Sequence, residues 1–162
     1  MTTVYQGAFV RFPDATPTRP DAQLVPVVSG APNQGLSLWG TAPSDLWLAG
    51  VRLSHATGSG AATTVTLQSQ FYNDSTNSNT IGGIWGLNNS DLWMVAVNGG
   101  TRSSRVHHIS NPSSIDSSVY VSLGNYQLNT LSGLSASYIW FVGNGGLRIH
   151  HDGKSYQVIR DL

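Results

Sequence analysis

Cysteine is missing from all 162 residues, so no disulfide staples the fold and no thiol chemistry is available. Glutamate is missing too. Every one of the acidic residues is Asp, and Lys154 is the sole lysine among the cations. Surface helices draw on Glu, Lys, Gln and Ala, so this chain has little material for them. No apolar run approaches the length that spans a bilayer. The segment from Met1 to Gly7 has neither a basic start nor an apolar stretch of signal-peptide type. The expectation is synthesis in a cytoplasm without membrane insertion, with action on a cell or particle surface after release. Eight basic residues balance eight acidic ones. Nucleic-acid binding rests on clustered cations that displace counterions, so no nucleic-acid partner is expected. The phosphate-binding Gly-Lys-Ser/Thr loop, the Gly-x-Ser-x-Gly elbow and the His-Glu-x-x-His helix are all absent. A glycosidase needs two carboxylates close together, and the Asp residues show no such pairing. The expectation is a non-enzyme without cofactors.

Ser, Thr, Asn and Gly fill the polar positions instead, and these suit turns and the solvent faces of strands. They point to an all-β chain, long enough for one domain hiding about 70% of its unfolded surface. A repeat gives the layout. Gly35-Leu-Ser-Leu-Trp39-Gly-Thr-Ala-Pro-Ser44-Asp45-Leu46-Trp47 is followed by Gly82-Gly-Ile-Trp85-Gly86-Leu-Asn-Asn-Ser90-Asp91-Leu92-Trp93. A worn third copy is Leu131-Ser-Gly133-Leu-Ser-Ala-Ser137-Tyr138-Ile139-Trp140. Trp47, Trp93 and Trp140 lie 46 and 47 residues apart. Each copy continues into an Arg-x-x-His element, namely Arg52 to His55, Arg105 to His108 and Arg148 to His151. A further β-rich run then follows, and Gly or Asn clusters such as Asn144-Gly-Gly146 and Asp152-Gly153 mark the turns. Four short strands per unit of this length is the pattern of a propeller blade. The expected units are 35–80, 81–129 and 130–162. Residues 1–34 read as the back of another, with Val4-Tyr5, Ala8 to Phe12 and Gln23 to Val28 as its strands. Pro26 suits an edge there, and the segment from Pro13 to Pro20 reads as a loop.

The Trp-Gly, Ser-Asp-x-Trp and His-x-Asp-Gly elements resemble a bacterial β-propeller repeat family. Trp39, Gly40, Ser44, Asp45 and Trp47 carry the first copy, and Trp85, Gly86, Ser90, Asp91 and Trp93 the second. Gly133, Ser137, Trp140, His150, Asp152 and Gly153 carry the third. The resemblance covers about 130 residues and implies a propeller-like fold. It says little of function, since propellers serve as lectins, scaffolds, adhesins and enzymes. The third copy departs from the pattern with Ser132 for Trp and Tyr138 for Asp, and the first two lack the Asp-Gly after the His. Fewer than four complete units leaves a ring to be closed by the N-terminal part or by further copies of the chain. Unfilled edges invite pairing, which makes a homo-oligomer the expectation.

Each candidate residue has a functional and a structural interpretation. Trp39 and Trp85 would stack on a sugar ring, or would fill the gap between sheets; recurrence at a fixed place favours packing, as it does for Trp47, Trp93 and Trp140. Asp45 and Asp91 suit turns, bonding nearby backbone amides. His107-His108 and His150-His151 are adjacent on strands and face opposite ways, so neither pair chelates one ion. A metal would need His107 with His150, or His108 with His151, to converge from neighbouring units, and no metal is expected. Arg52, Arg105 and Arg148 recur once per unit on the face of Ser54, His107 and His150, where a planar guanidinium could hold a hydroxylated or anionic ligand. The expected function is multivalent recognition of uncharged ligands, carbohydrate foremost or otherwise a protein surface. The alternative is a structural or surface component of a phage or virus-like particle.

Overall fold

The computed structural model describes residues 8–11, 23–26, 35–42, 44–50, 53–58, 64–68, 79–98, 103–110, 119–122 and 126–159. Fourteen strands make up the described fold, and the one helical piece among these residues is a single 3-10 turn at Asn144–Gly146. The chain is therefore all-β. The first sheet holds β3 (Gly35–Ala42), β4 (Asp45–Gly50), β5 (Leu53–Thr57) and β6 (Thr64–Gln68), in that spatial order. The second repeats it with β7 (Asn79–Asn88), β8 (Asp91–Asn98), β9 (Ser104–Ile109) and β10 (Val119–Ser122). The third does so with β11 (Leu128–Ser135), β12 (Tyr138–Gly143), β13 (Arg148–His151) and β14 (Tyr156–Ile159). Every pair within a sheet is antiparallel. Ahead of them β1 (Ala8–Arg11) and β2 (Gln23–Pro26) form an antiparallel two-stranded sheet, with Pro26 opposite Ala8. Val4 and Tyr5 lie outside the described residues.

The repeat is kept down to its irregularities. Between first and second strands the register shifts twice, around Leu36, Gly82 and Asn129, and again around Thr41, Leu87 and Leu134. One turn chemistry also stands out. Asp152 accepts hydrogen bonds from the backbone N–H of Lys154 (2.8 Å) and Ser155 (2.7 Å), closing the β13–β14 turn. The next residue, Gly153, sits at φ 89°, where a side chain would be strained. These bonds hold the Asp152 carboxyl down at about 2.

The second sheet buries one face on the first sheet and the other on the third. Trp39, Trp47, Ala49 and Leu53 on the back of the first sheet pack on Ile84, Leu92, Met94 and Ile109 of the second. Trp85, Trp93, Val95 and Val106 on its back pack in turn on Leu131, Ile139, Phe141 and Ile149 of the third. Successive sheets approach along their first strands, β3 to β7 and β7 to β11, as blades diverging from an axis do. Two hydroxyls join the layers. Ser37 Oγ accepts from the Ile84 N–H (3.3 Å) and Ser104 Oγ from that of Leu128 (2.8 Å), satisfying strand donors that the ladder leaves over.

The approach depends on glycine. A Cβ on Gly86 would meet the Trp39 ring at 3.2 Å, and one on Gly133 would meet the Trp85 ring at 2.9 Å. The Trp-Gly dipeptide thus works across sheets, the indole of one unit lying on the glycine of the next. Gly133→Ala should force the Trp85 ring aside and destabilise the chain by about 1–3 kcal/mol in urea unfolding. A change below 0.5 kcal/mol, roughly the range of neutral surface substitutions, would show that this contact is loose.

Candidate functional site

Pairing between second and third strands sets a His beside each indole. Trp47 lies opposite His55, Trp93 opposite His108 and Trp140 opposite His150. The rings stack with centroids 4.1, 4.1 and 4.7 Å apart. The first two histidines also meet a carboxylate. His55 donates from Nε2 to Asp45 Oδ1 at 2.5 Å, and His108 to Asp91 Oδ1 at 2.6 Å. An ionised carboxylate only accepts, so Nε2 carries the proton in both. Asp45 is bonded further by Thr41 Oγ1 (2.9 Å) and by the amide of Asn89. Asn89 belongs to the second sheet, and its carbonyl accepts from the Trp47 indole N–H at 2.9 Å. Partial burial pushes the Asp45 carboxyl up, but the bonds from His55, Asn89 and Thr41 outweigh it and hold the group below its ordinary value.

These contacts correct the expectation for Asp45, whose carboxylate is taken by side chains and ties two sheets together. The third unit lacks the device. Tyr138 replaces the Asp and turns its edge to His150, ring centroids 5.0 Å apart. Ala136 stands where the second unit has Asn89. Among the described residues the buried Trp93 Nε1 and His150 Nε2 accordingly have no hydrogen-bond partner.

Register also changes the arginine row. Arg105 pairs with Ala96, three residues after Trp93, whereas Arg148 pairs with Val142, two after Trp140. The third strand of the last sheet is thus one residue out of phase with the sequence match, because the connections into β9 and β13 differ. A one-residue slip moves every side chain to the other face. Arg105 lies on the front of the second sheet and Arg148 on the back of the third, both exposed; Arg52 lies outside the described residues. The same slip makes His150, not His151, the counterpart of His55 and His108.

The histidine pairs sort accordingly. His107, on the front of the second sheet, and His150, on the back of the third, face away from each other and cannot converge. His108 and His151 do face each other across Trp93, with His151 5.0 Å from that indole and donating from Nδ1 to the Ser155 carbonyl at 3.1 Å. Among the described residues no group of three His, Cys, Asp or Glu side chains is placed to hold a metal ion. Burial, with the nearby Arg105 charge, brings His107 from 6.5 down to about 4, so it is neutral at pH 7. Burial pushes the Tyr156 hydroxyl up to about 12. Trp39 and Trp85 stay wedged on the next sheet's glycines.

Sequence reasoning missed Asn89, His55 and His108 as partners. One signal was present: Asp and Asn disappear together in the unit that carries Tyr138 and Ala136.

Two outcomes are expected. His107 has a folded value below its unfolded one, so its contribution is complete above pH 6.5 and is lost as the pH falls toward 4. The loss approaches roughly 3 kcal/mol. Asp45, also lowered, extends the decline at more acid pH. Urea unfolding across that window should show a slope that His107→Gln flattens; an unchanged slope would assign it elsewhere. Ala136→Asn should give the Trp93 N–H an acceptor and stabilise the chain by about 1 kcal/mol, whereas no gain in unfolding midpoint would place the new amide in solvent.

No family model matches the chain, and no curated protein sequence matches it. Among the described residues no helix is long and apolar enough to cross a membrane. The fold is similar to a solved structure described as YCF48 bound to D1 peptide, with a TM-score of 0.52 and 12% identity. The match covers 78% of this chain and 41% of that one, so the chain spans about two fifths of its neighbour's length. At that identity the likeness bears on the fold alone, and it supports a propeller-like arrangement of the sheets.

Proposed function

We propose that the chain is a non-enzymatic recognition module acting as an assembly component, a structural or surface part of a particle, which binds protein through the faces of its sheets. The observation that carries this reading is the back of the third sheet. Trp140 and Val142 are part-exposed and exposed there, whereas their counterparts Trp47, Ala49, Trp93 and Val95 are buried under a following sheet. Tyr138 adds an exposed ring beside them. An apolar stripe of Tyr138, Trp140 and Val142 on β12, flanked by Ser132 on β11 and by His150 and Arg148 on β13, suits a protein partner. The neighbouring structure is likewise in complex with a peptide.

A second reading keeps carbohydrate as the ligand, and one observation favours it. Tyr138, Trp140 and His150 form an aromatic cluster with hydrogen-bonding groups around it. Aromatic faces rimmed by such groups also suit sugars. It cannot draw on Trp39, Trp85 or His107, which lie between sheets.

On a glycan array the assembly reading expects signal at background for the intact chain. Saturable binding that Tyr138→Ala removes would replace it with the carbohydrate reading.

A further inference from the structure

On the back of the third sheet, exposed apolar side chains surround one permanent positive charge. Along β12, Tyr138 and Val142 are 44% and 40% exposed, with Trp140 part-exposed between them. Pairing sets Arg148 beside Val142, and sets Ile159, 38% exposed, on the far side of Arg148. Residues opposite each other in a ladder share a face and lie about 5 Å apart. The Arg148 guanidinium therefore rises between two aliphatic side chains.

Two exchanges separate this face from the back of the second sheet. Arg148 stands in the place of Val106, which is buried against the third sheet. Tyr138 stands in the place of Asp45 and Asp91, the acids that the first two sheets carry. One exchange adds a guanidinium and the other removes a carboxylate, so both move the charge of the face in the same direction. The described carboxylates all act elsewhere. Asp45 holds His55, Asp91 holds His108, and Asp152 closes its own turn. A face built this way is unsuited to another sheet of the same design, and its chemistry calls for an acid from outside.

We propose that the back of the third sheet binds an extended acidic segment of a partner protein. A carboxylate of that segment meets Arg148, and its apolar side chains cover Tyr138, Trp140 and Val142. This rests on the assembly reading and names the chemistry of the partner. The guanidinium fork matches a carboxylate through two parallel N–H donors. Val142 and Ile159 keep water from two sides of that pair, which strengthens it over a fully solvated one. The stripe also sets a spacing. Tyr138, Trp140 and Val142 are every second residue of a strand, a step of about 6.8 Å. Side chains facing one way on an extended partner recur at the same step. The fitting segment thus presents two apolar residues and then an acid at alternate positions.

An NMR titration of the full chain tests this, following the Trp140 indole N–H resonance, which its loss in Trp140→Phe assigns. The probes are three peptides, acetyl-Leu-Ser-Leu-Ser-X-amide, with Asp, Asn or Lys at X. The Asp peptide should half-saturate the shift at a concentration about threefold below that of the Asn peptide, as one exposed ion pair allows. The Lys peptide should need more again. Arg148→Glu should invert the order and put Lys first; the position is exposed, and circular dichroism checks that the variant stays folded. Three results would overturn the inference: no response to any peptide, equal responses to all, or an order that Arg148→Glu leaves unchanged. Each of these leaves the assembly reading to a partner of other chemistry, whereas Tyr138-dependent glycan binding removes that reading as well.

Discussion

A β-sheet buried on both faces needs a partner on each, and here the partner is always the next sheet of the same design. What sets the spacing is one contact, the indole of Trp39 or Trp85 lying on the glycine of the following unit. Glycine at 86 and 133 lets the backbone come within reach of a flat ring, and the ring then fills the volume that diverging sheets leave near their first strands. Around that contact the aliphatic side chains of β4, β8 and β12 close the core. A neutral, hydroxyl-rich chain can stack this way because Ser37 and Ser104 satisfy strand donors across the gap without an ion pair.

The reactive-looking groups are absorbed by the same joint. An Asp–His pair is the orienting half of many catalytic sites. In this chain the imidazole lies flat on Trp47 or Trp93, and the Asp45 carboxylate is shared with Thr41 and Asn89. Asn89 reaches back from the second sheet to both Asp45 and Trp47, so the cluster locks one unit to the next. Where Ala136 and Tyr138 take those places, Trp93 Nε1 and His150 Nε2 are buried without partners among the described residues, a cost the apolar packing around Trp93 must offset.

The sheets were legible in the chain because their marker residues keep a period of 46 to 47 positions, and Trp, Gly and Ser at fixed offsets survive changes in loop length. The third strands were not. Trp47 and His55 are separated by a short connection, Trp93 and His108 by a longer one, and Trp140 and His150 by the Asn144–Gly146 turn. Matching Arg-x-x-His by eye aligns Arg148 with Arg105, yet hydrogen-bond register decides the face, and register is set by the turn. The inter-sheet polar cluster was invisible for a different reason. Asn89 acts 42 and 44 residues away from its partners, a separation that only the packed sheets define.

The departures of the third unit have a spatial order. Ser132 and Tyr138 are on its back, while the side that meets the second sheet keeps Leu131, Gly133, Ile139, Phe141 and Ile149 in the apolar pattern. Freedom to vary therefore lies where no further sheet is found among the described residues. A stack that uses its indoles, imidazoles and carboxylates to hold itself together has its distinguishing chemistry at its two ends. There the same apolar design meets whatever lies beyond, and recognition becomes a continuation of folding rather than a separate site carved into it.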